Sequence, residues 1–370
     1  LNKAAQKLRI LRPECRVMAF NWGPWDGGMV TPALRNVFIA EGIGLIPLLA
    51  GARQPVIELS NPGENAVEIG IMGTLEEQGA PEPGKKFVKA FDFELNLKEN
   101  AWLKDHVLNG DPVLPMAVAG ELMSQAAVMR NPGLQFAGYD EMRILKGVVL
   151  KSQQVTLGVY ASKPERSAEG YRVSCEIRTT VNGREMINAR AEVLLADALP
   201  AKAPLPEKTD ARMVYPDSIN EAYANHLFHG EFFKSLSAVE GWSEHGIIAV
   251  SRSSQPPAAW FARPMFNNWC SDPLAIDAAY QLLILWTTQA CGAPSLPGYA
   301  RRYRQYVSSF DGRDVVIVAR TRRLGSMQAA ADIDFVDAQG RLIARLDGYE
   351  CTLNENLSNA FKLRKVIGAE

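Results

Sequence analysis

His106 opens the run His106-Val-Leu-Asn-Gly110-Asp-Pro-Val-Leu-Pro115, which feeds into an almost wholly apolar stretch from Met116 to Met129. An imidazole at the mouth of such a segment is placed to act as a general base, because its ordinary pKa lies near neutrality. Gly110 permits a positive φ or a close backbone approach. Pro115 suits the first turn of a helix, where a missing N–H leaves nothing unpaired. The spacing predicts that His106 sits at the N-terminus of a buried helix, where unpaired N–H groups around Gly110, Pro115 and Met116 hold a negatively charged oxygen. A second candidate lies in Ser271-Asp272-Pro273-Leu-Ala-Ile-Asp277-Ala-Ala-Tyr280-Gln281. There Ser271 or Asp272 caps a helix that has Pro273 in its first turn. Asp277 and Gln281, four residues apart, share a face. A carboxyl group inside an apolar helix is driven toward its neutral form and becomes a proton donor, with Gln281 to orient it.

Taken singly, each candidate has an ordinary explanation: His106 as a satisfied histidine at a helix entrance, Asp277 as a carboxylate favoured by the helix dipole. Together they form a base and an acid on separate buried helices, an arrangement that suits a site between two domains. A third cluster, His226-Leu-Phe-His229-Gly230-Glu231-Phe232-Phe233, invites a metal reading. No further group at helical spacing completes the ligand set, so no metal is expected. It reads instead as an aromatic-anchored turn, with His229, Gly230 and Phe233 lining the pocket or its entrance. His245, in a solvated turn, receives no role. Gly42-Ile-Gly44 lacks the third glycine of a nucleotide loop, and no Gly-x-Ser-x-Gly elbow supports serine catalysis.

The elements that must position these groups follow from pattern. The 370 residues suffice for two or three compact units. Lys and Arg number 40 against 41 Asp and Glu, so no strong field favours nucleic acid or an anionic membrane. Five scattered cysteines without a Cys-x-x-Cys pair point to a reduced, cytoplasmic setting, and no signal or membrane-length apolar run stands out. Two Pro-rich linkers, 76–85 and 199–210, divide the chain into an N-terminal piece (1–75), two larger units (86–198 and 211–357) and a tail (358–370). Each larger unit has one apolar helix, Pro115–Met129 or Pro273–Ala290, followed by β-rich runs. These are Gln153–Ala161, Tyr171–Thr180 and Met186–Leu195 in the first, and Asp314–Arg320, Gln328–Phe335 and Leu342–Leu353 in the second. Asn182-Gly183 and Ala338-Gln-Gly340 are hairpin signals between them. A helix apolar on nearly every face must be wrapped; two antiparallel sheets, each curled around its helix, are predicted, an α+β architecture with a pseudo-twofold.

On these residues the chain resembles the dehydratase domains of type I polyketide and polyunsaturated fatty acid synthases. His106, Gly110 and Pro115 match His-x-x-x-Gly-x-x-x-x-Pro, and Asp277 with Gln281 match Asp-x-x-x-Gln, over roughly Lys86 to Leu357. The resemblance implies a double hotdog fold. It departs where the family often has Tyr-Gly-Pro-x-Phe and this chain has His229-Gly230-Glu231-Phe232-Phe233. It departs also where Asp272-Pro273 replaces His-Pro, and where Met116 replaces a common glycine. The segment Val17-Met-Ala-Phe-Asn21-Trp22-Gly23-Pro24-Trp25-Asp26-Gly-Gly28-Met29-Val30 is similar to the last part of a synthase ketoreductase, running from a strand into a lid helix over Pro32–Glu41. The implied remnant is a short α/β piece without the nucleotide loop or catalytic residues, so no nicotinamide binding is expected.

The chemistry implied is dehydration of a 3-hydroxyacyl thioester to a trans-2-enoyl thioester, with His106 as base and Asp277 as acid. The substrate would arrive on an acyl carrier protein, whose phosphopantetheine is the only prosthetic group required. Other domains of the same polypeptide are the expected partners, and the pairing habit of hotdog folds adds a homodimer. Three other readings stay open at this point: a double-bond isomerase, a product-template-type cyclase, and a docking or dimerisation module with an inactive pocket.

Overall fold

The computed structural model describes residues 2–27, 30, 35, 38, 43–60, 66–73, 85–151, 154–181, 183–310 and 312–366. Most of the 76–85 linker, most of the lid-helix segment 32–41, and Asn182 lie outside the described residues. The chain forms two compact units, Leu1–Pro83 and Gly84–Glu370. In the first, helix α1 (Asn2–Leu11) is followed by strand β1 (Ala19–Trp22), helix α2 (Leu48–Ser60) and strand β2 (Glu68–Ile71). β1 and β2 pair in parallel, Ala19 opposite Glu68, with α2 lying between them in the chain. No helix among the described residues is long and apolar enough to cross a membrane.

The second unit is built from two halves. Its first half comprises β3 (Val88–Leu95), the short pair β4 (Val107–Leu108) and β5 (Asp111–Pro112), helix α3 (Met116–Arg130), and strands β6 (Gln135–Ile144), β7 (Val155–Ala161), β8 (Glu165–Ser167), β9 (Gly170–Val181) and β10 (Arg184–Ala196). The second half comprises helix α4 (Ile219–Asn225), strands β11 (Leu236–Ser243) and β12 (Gly246–Arg252), helices α5 (Pro257–Trp260) and α6 (Pro273–Cys291), strands β13 (Ser295–Gln305), β14 (Asp314–Arg323), β15 (Gln328–Val336) and β16 (Leu342–Leu353), and helix α7 (Leu357–Ala360). The strands join in one antiparallel sheet of twelve, in the order β11-β12-β14-β15-β16-β13-β6-β10-β9-β7-β3 with β8 beside β9. α3 packs on the β3–β10 half and α6 on the β11–β15 part. Every residue of α3 from Met116 to Ala127 is buried, as is every residue of α6 from Pro273 to Thr287. That all-round burial is why both helices read as apolar without a polar face.

The two halves meet where β6 runs antiparallel to β13, with Tyr139 opposite Tyr303 and Gly138 opposite Arg304. A Cβ on Gly138, whose φ is +151°, would lie 2.0 Å from the Tyr303 carbonyl oxygen, so the close approach requires glycine. Beside it the Tyr139 and Tyr303 rings stack at 5.0 Å, and Arg304 grips both carboxylate oxygens of Asp140 at 2.8 and 3.0 Å. Sequence pattern discloses neither of these seam strands, nor β3, β11 and β12. The predicted runs are present with ends shifted by up to three residues, Asp314–Arg320 extending to Arg323.

The linker and the tail both make contacts with the second half. In the 199–210 stretch, Glu207 N–H donates to Asp334 Oδ2 at 2.7 Å and the Leu205 carbonyl accepts from Arg345 at 3.2 Å, so it is laced to the second half. The predicted 358–370 tail is packed as far as it is described. Phe361 is buried against Phe228, and Arg364 donates to the Tyr223 and Ala224 carbonyls.

A buried carboxylate ties the central helices together. Glu121 of α3 accepts from Cys270 N–H (2.7 Å), Ser271 N–H (2.8 Å) and Ser271 Oγ (2.7 Å) in the loop that starts α6. Gln125, one turn on, donates to Glu121 Oε1 and to the Asn268 carbonyl, both at 2.8 Å. Removing the carboxylate strands buried N–H groups that lose a charged acceptor, so Glu121→Ala should lower unfolding free energy by about 2–5 kcal/mol. Urea denaturation checks this; a midpoint equal to that of the native chain would show the brace to be idle.

Candidate active site

His106 is positioned by a tight local fold rather than by a helix N-terminus. A 3-10 turn, Ala101–Asp105, buries Trp102 and Leu103, and His106 closes it with an N–H bond to the Leu103 carbonyl at 3.3 Å. The chain then forms the hairpin β4–β5, turning at Asn109 (φ 55°) and Gly110 (φ 84°) with Leu108 opposite Asp111. Asn-Gly with both φ positive is the two-residue turn that suits the twist of paired strands. On the return strand, Val113 N–H donates to the His106 carbonyl at 3.0 Å. The Val113 carbonyl lies 2.7 Å from His106 Nδ1. A carbonyl oxygen only accepts, so Nδ1 carries the hydrogen and Nε2 presents a bare lone pair. Burial holds the imidazole down to about 4, neutral at physiological pH.

This arrangement corrects the oxyanion assignment. Gly110 serves the hairpin turn, and its N–H is already given to the Leu363 carbonyl at 3.0 Å, with Asn109 N–H on Ala360 at 3.1 Å. Pro115 has no N–H and is the N-cap residue, not the first helical one. Met116 begins the helix, and Ala119 N–H to the Pro115 carbonyl is the first turn's closing bond. The N–H groups of Met116, Ala117 and Val118 therefore precede the intrahelical ladder.

Asp277 lies one turn inside α6. Asp272 is the cap, accepting from Ala275 N–H at 2.9 Å, with Pro273 in the first turn as expected. Asp277 Oδ2 accepts from Gln281 Nε2 at 2.8 Å. Gln281 is itself held, donating to the Phe233 carbonyl (2.9 Å) and accepting from Tyr223 Oη (2.8 Å), which in turn accepts from Leu236 N–H (2.9 Å). Burial pushes the Asp277 carboxyl up to about 7, against the opposing hydrogen bond from Gln281.

The segment 226–233 brings these elements together. His229 pairs with His106 in an antiparallel bridge, and Gly230 N–H donates to the Asp105 carbonyl at 2.7 Å. The His106 and His229 ring centroids are 5.3 Å apart, and Phe233 lies 5.3 Å from His106. His229 Nε2 is 3.5 Å from Asp277 Oδ2, and its Nδ1 has no hydrogen-bond partner among the described residues. One ligand-type atom from each of His106, His229 and Asp277 lies within 4.8 Å of the others. His229 and Phe233 thus stand beside His106, with His229 between it and Asp277. The neighbours that invited a metal reading are spent elsewhere: His226 on Asp217 at 2.9 Å, Glu231 on Lys234. Three residues that hold the site escape a reading of the sequence alone. Tyr223 and Glu121 carry no local signal, whereas Asn109 does, through the Asn-Gly dipeptide.

Gly230 has no room for a side chain: a Cβ there would meet Asp105 Oδ1 at 2.1 Å and Asp105 Cα at 2.9 Å. Gly230→Ala must therefore push the His229 segment off His106. A displacement of about 1 Å at a reacting centre costs about 100-fold, and a loss of that order in kcat is expected. Activity within threefold of native would mean that the 105–230 contact does not set the geometry.

Two sheet-wrapped helices in one chain, with a buried imidazole before the first and a buried carboxyl on the second, define the class: a double hotdog whose halves share one site. Comparison with known proteins agrees. The family model described as polyketide synthase dehydratase domain matches residues 82–179, and that described as polyketide synthase dehydratase N-terminal domain matches residues 198–360. This part of the chain is a dehydratase domain of the polyketide and polyunsaturated fatty acid synthase type. Among curated proteins, one of the subunits of the polyunsaturated fatty acid synthase of Thraustochytrium sp. is 27% identical over 352 residues; the match covers 92% of this chain and only 12% of that protein's length. Solved dehydratase domains share the fold. That of a mycocerosic acid synthase-like polyketide synthase is 22% identical with a TM-score of 0.56, covering 75% of this chain and 94% of its own. The domain from the CurF module of curacin synthase is 16% identical with a TM-score of 0.57, covering 74% and 96%. The domain of PpsC from Mycobacterium tuberculosis, solved in complex with C12:1-CoA, is 20% identical with a TM-score of 0.56, covering 74% and 96%.

Proposed function

We propose that the chain removes water from a 3-hydroxyacyl thioester, delivered on an acyl carrier protein, to give the trans-2-enoyl thioester. One observation carries the reading: a neutral imidazole with a bare Nε2 lies close, in the buried interior, to a carboxyl group that burial keeps protonated to near neutral pH. A base and an acid with their pKa values pushed past each other are what an elimination needs. His106 Nε2 takes a proton from C2, the C2 electron pair becomes the new C2–C3 double bond, and the C3–O bond breaks. Asp277 supplies the proton that lets the oxygen leave as water. The N–H groups of Met116, Ala117 and Val118, which precede the helical ladder, are donors available for charge developing on the thioester oxygen. Return of the His106 proton and recharging of Asp277 restore the resting forms.

Each proton transfer falls to a side chain, so no cofactor beyond the phosphopantetheine arm is invoked. The synthase relative supports other domains of a larger polypeptide as partners, and the acyl ligand named for PpsC supports an acyl thioester as the substrate class. The parallel pair β1–β2 with α2 between its strands suits the ketoreductase remnant read in the N-terminal piece. Offering the purified chain a 3-hydroxyacyl pantetheine thioester and following the products by mass tests the proposal. A 2-enoyl product is expected. No loss of water, or a product whose double bond lies elsewhere, would sink it.

A further inference from the structure

The buried cluster contains one more group than the elimination uses. His229 is buried, its Nε2 lies beside Asp277, and its Nδ1 has no partner among the described residues. A buried ring nitrogen without a partner is costly unless something fills the gap. The ring's other nitrogen, Nε2, faces the elements of a ligand set. His106 offers Nε2 while Nδ1 is anchored to a backbone carbonyl, the outer-shell bond that orients metal-binding histidines. Asp277 offers its carboxylate, with Gln281 fixing Oδ2 and Tyr223 fixing Gln281. Two imidazoles and one carboxylate are a ligand set that borderline-soft divalent ions accept, leaving a coordination position open. The three ligand-type atoms are within 4.8 Å of one another, so side-chain adjustments of about 1 Å suffice to reach bonds of about 2.0–2.2 Å. The ligands come from three distant parts of the chain, which is why spacing around His226 and His229 does not disclose them.

We propose that His106, His229 and Asp277 form a binding site for a zinc-class divalent ion, which excludes substrate by engaging both the base and the acid. The ion is thus an inhibitor and not a participant in the elimination. The inhibition rests on the dehydratase reading, whereas the binding stands without it.

The test is a titration of the whole chain, freed of metal, with Co2+ and then Zn2+. One equivalent of Co2+ should bind with visible ligand-field bands and be displaced by Zn2+. In His106→Asn, His229→Asn and Asp277→Asn that equivalent should be weakened by about 100-fold or more. The native chain gives an independent readout, because only four histidines are present: Zn2+ should shift the ring nitrogen resonances of His106 and His229 and leave those of His226 and His245 in place. Zn2+ should also compete with the thioester in turnover, reversibly on adding EDTA. Absence of a bound equivalent overturns the proposal, as does binding that survives all three substitutions or leaves the His106 and His229 resonances unmoved. Full turnover with the site loaded overturns the inhibitory role. A metal-free chain that never dehydrates the thioester would refute the dehydratase reading, and the Co2+ titration would still decide the metal site.

Discussion

His106→Ala should turn over a 3-hydroxyacyl thioester about 10²–10⁴-fold more slowly than the native chain, the range lost when a positioned general base is removed. The size of the effect follows from how completely the ring is committed. Its Nδ1–H is fixed on Val113, its other nitrogen is bare, and desolvation keeps it unprotonated far below neutral pH. No other imidazole takes its place without rearrangement, since His229 faces Asp277. A structural role would also slow the enzyme, because the ring packs against Phe228, His229 and Phe233. Exchange at C2 separates the two. In D2O the native chain should incorporate deuterium at C2 of bound thioester, and the variant should bind the thioester yet lose that incorporation. A variant retaining a tenth of native kcat/KM, or continuing to exchange C2, would remove His106 from the role of base.

Asp277→Asn should lower kcat/KM by a similar 10²–10⁴-fold, because the amide keeps the shape but has no acidic proton to give. The pH dependence carries the sharper test. The base must be unprotonated and the acid protonated. Activity should therefore fall as pH drops through about 4, where His106 takes up a proton, and fall as pH rises through about 7, where Asp277 loses one. The native profile is a bell between those limits, and in Asp277→Asn the residual activity should lose its alkaline limb. A limb near 7 that persists in the variant would assign the acid to another group. These limits belong to kcat/KM of the free enzyme; bound substrate displaces water and shifts those seen in kcat.

Much of this molecule is legible in local pattern. Pro115 and Pro273 mark the starts of the two central helices to within a residue, and unbroken apolarity announces that both are wrapped. Gly340 and the dipeptide Asn182-Gly183 locate the hairpins β15–β16 and β9–β10, where turn chemistry marks the reversal between two β-rich runs. The seam strands β6 and β13 are not legible. They carry Asp140, Arg302 and Arg304, charges out of place in a strand beside the core until Arg304 is seen between Asp140 and Glu169. Pairing across the seam satisfies those groups, and no window of sequence contains both partners.

The same division governs the site. Residue type and spacing single out His106, Asp277 and Gln281 as candidates to exchange or orient protons, since a helix repeat places 277 and 281 on one face and an apolar setting disfavours charge. Only the tertiary structure decided the rest. His106 belongs to a hairpin and not to a helix N-terminus, Gly110 spends its N–H on Leu363, and His229 pairs with His106. The reason is one of range. Periodicity and turn chemistry act over a few residues, whereas the meeting of positions 106, 229 and 277 depends on two half-sheets fusing along β6 and β13 and on Gly230 lying flat against Asp105.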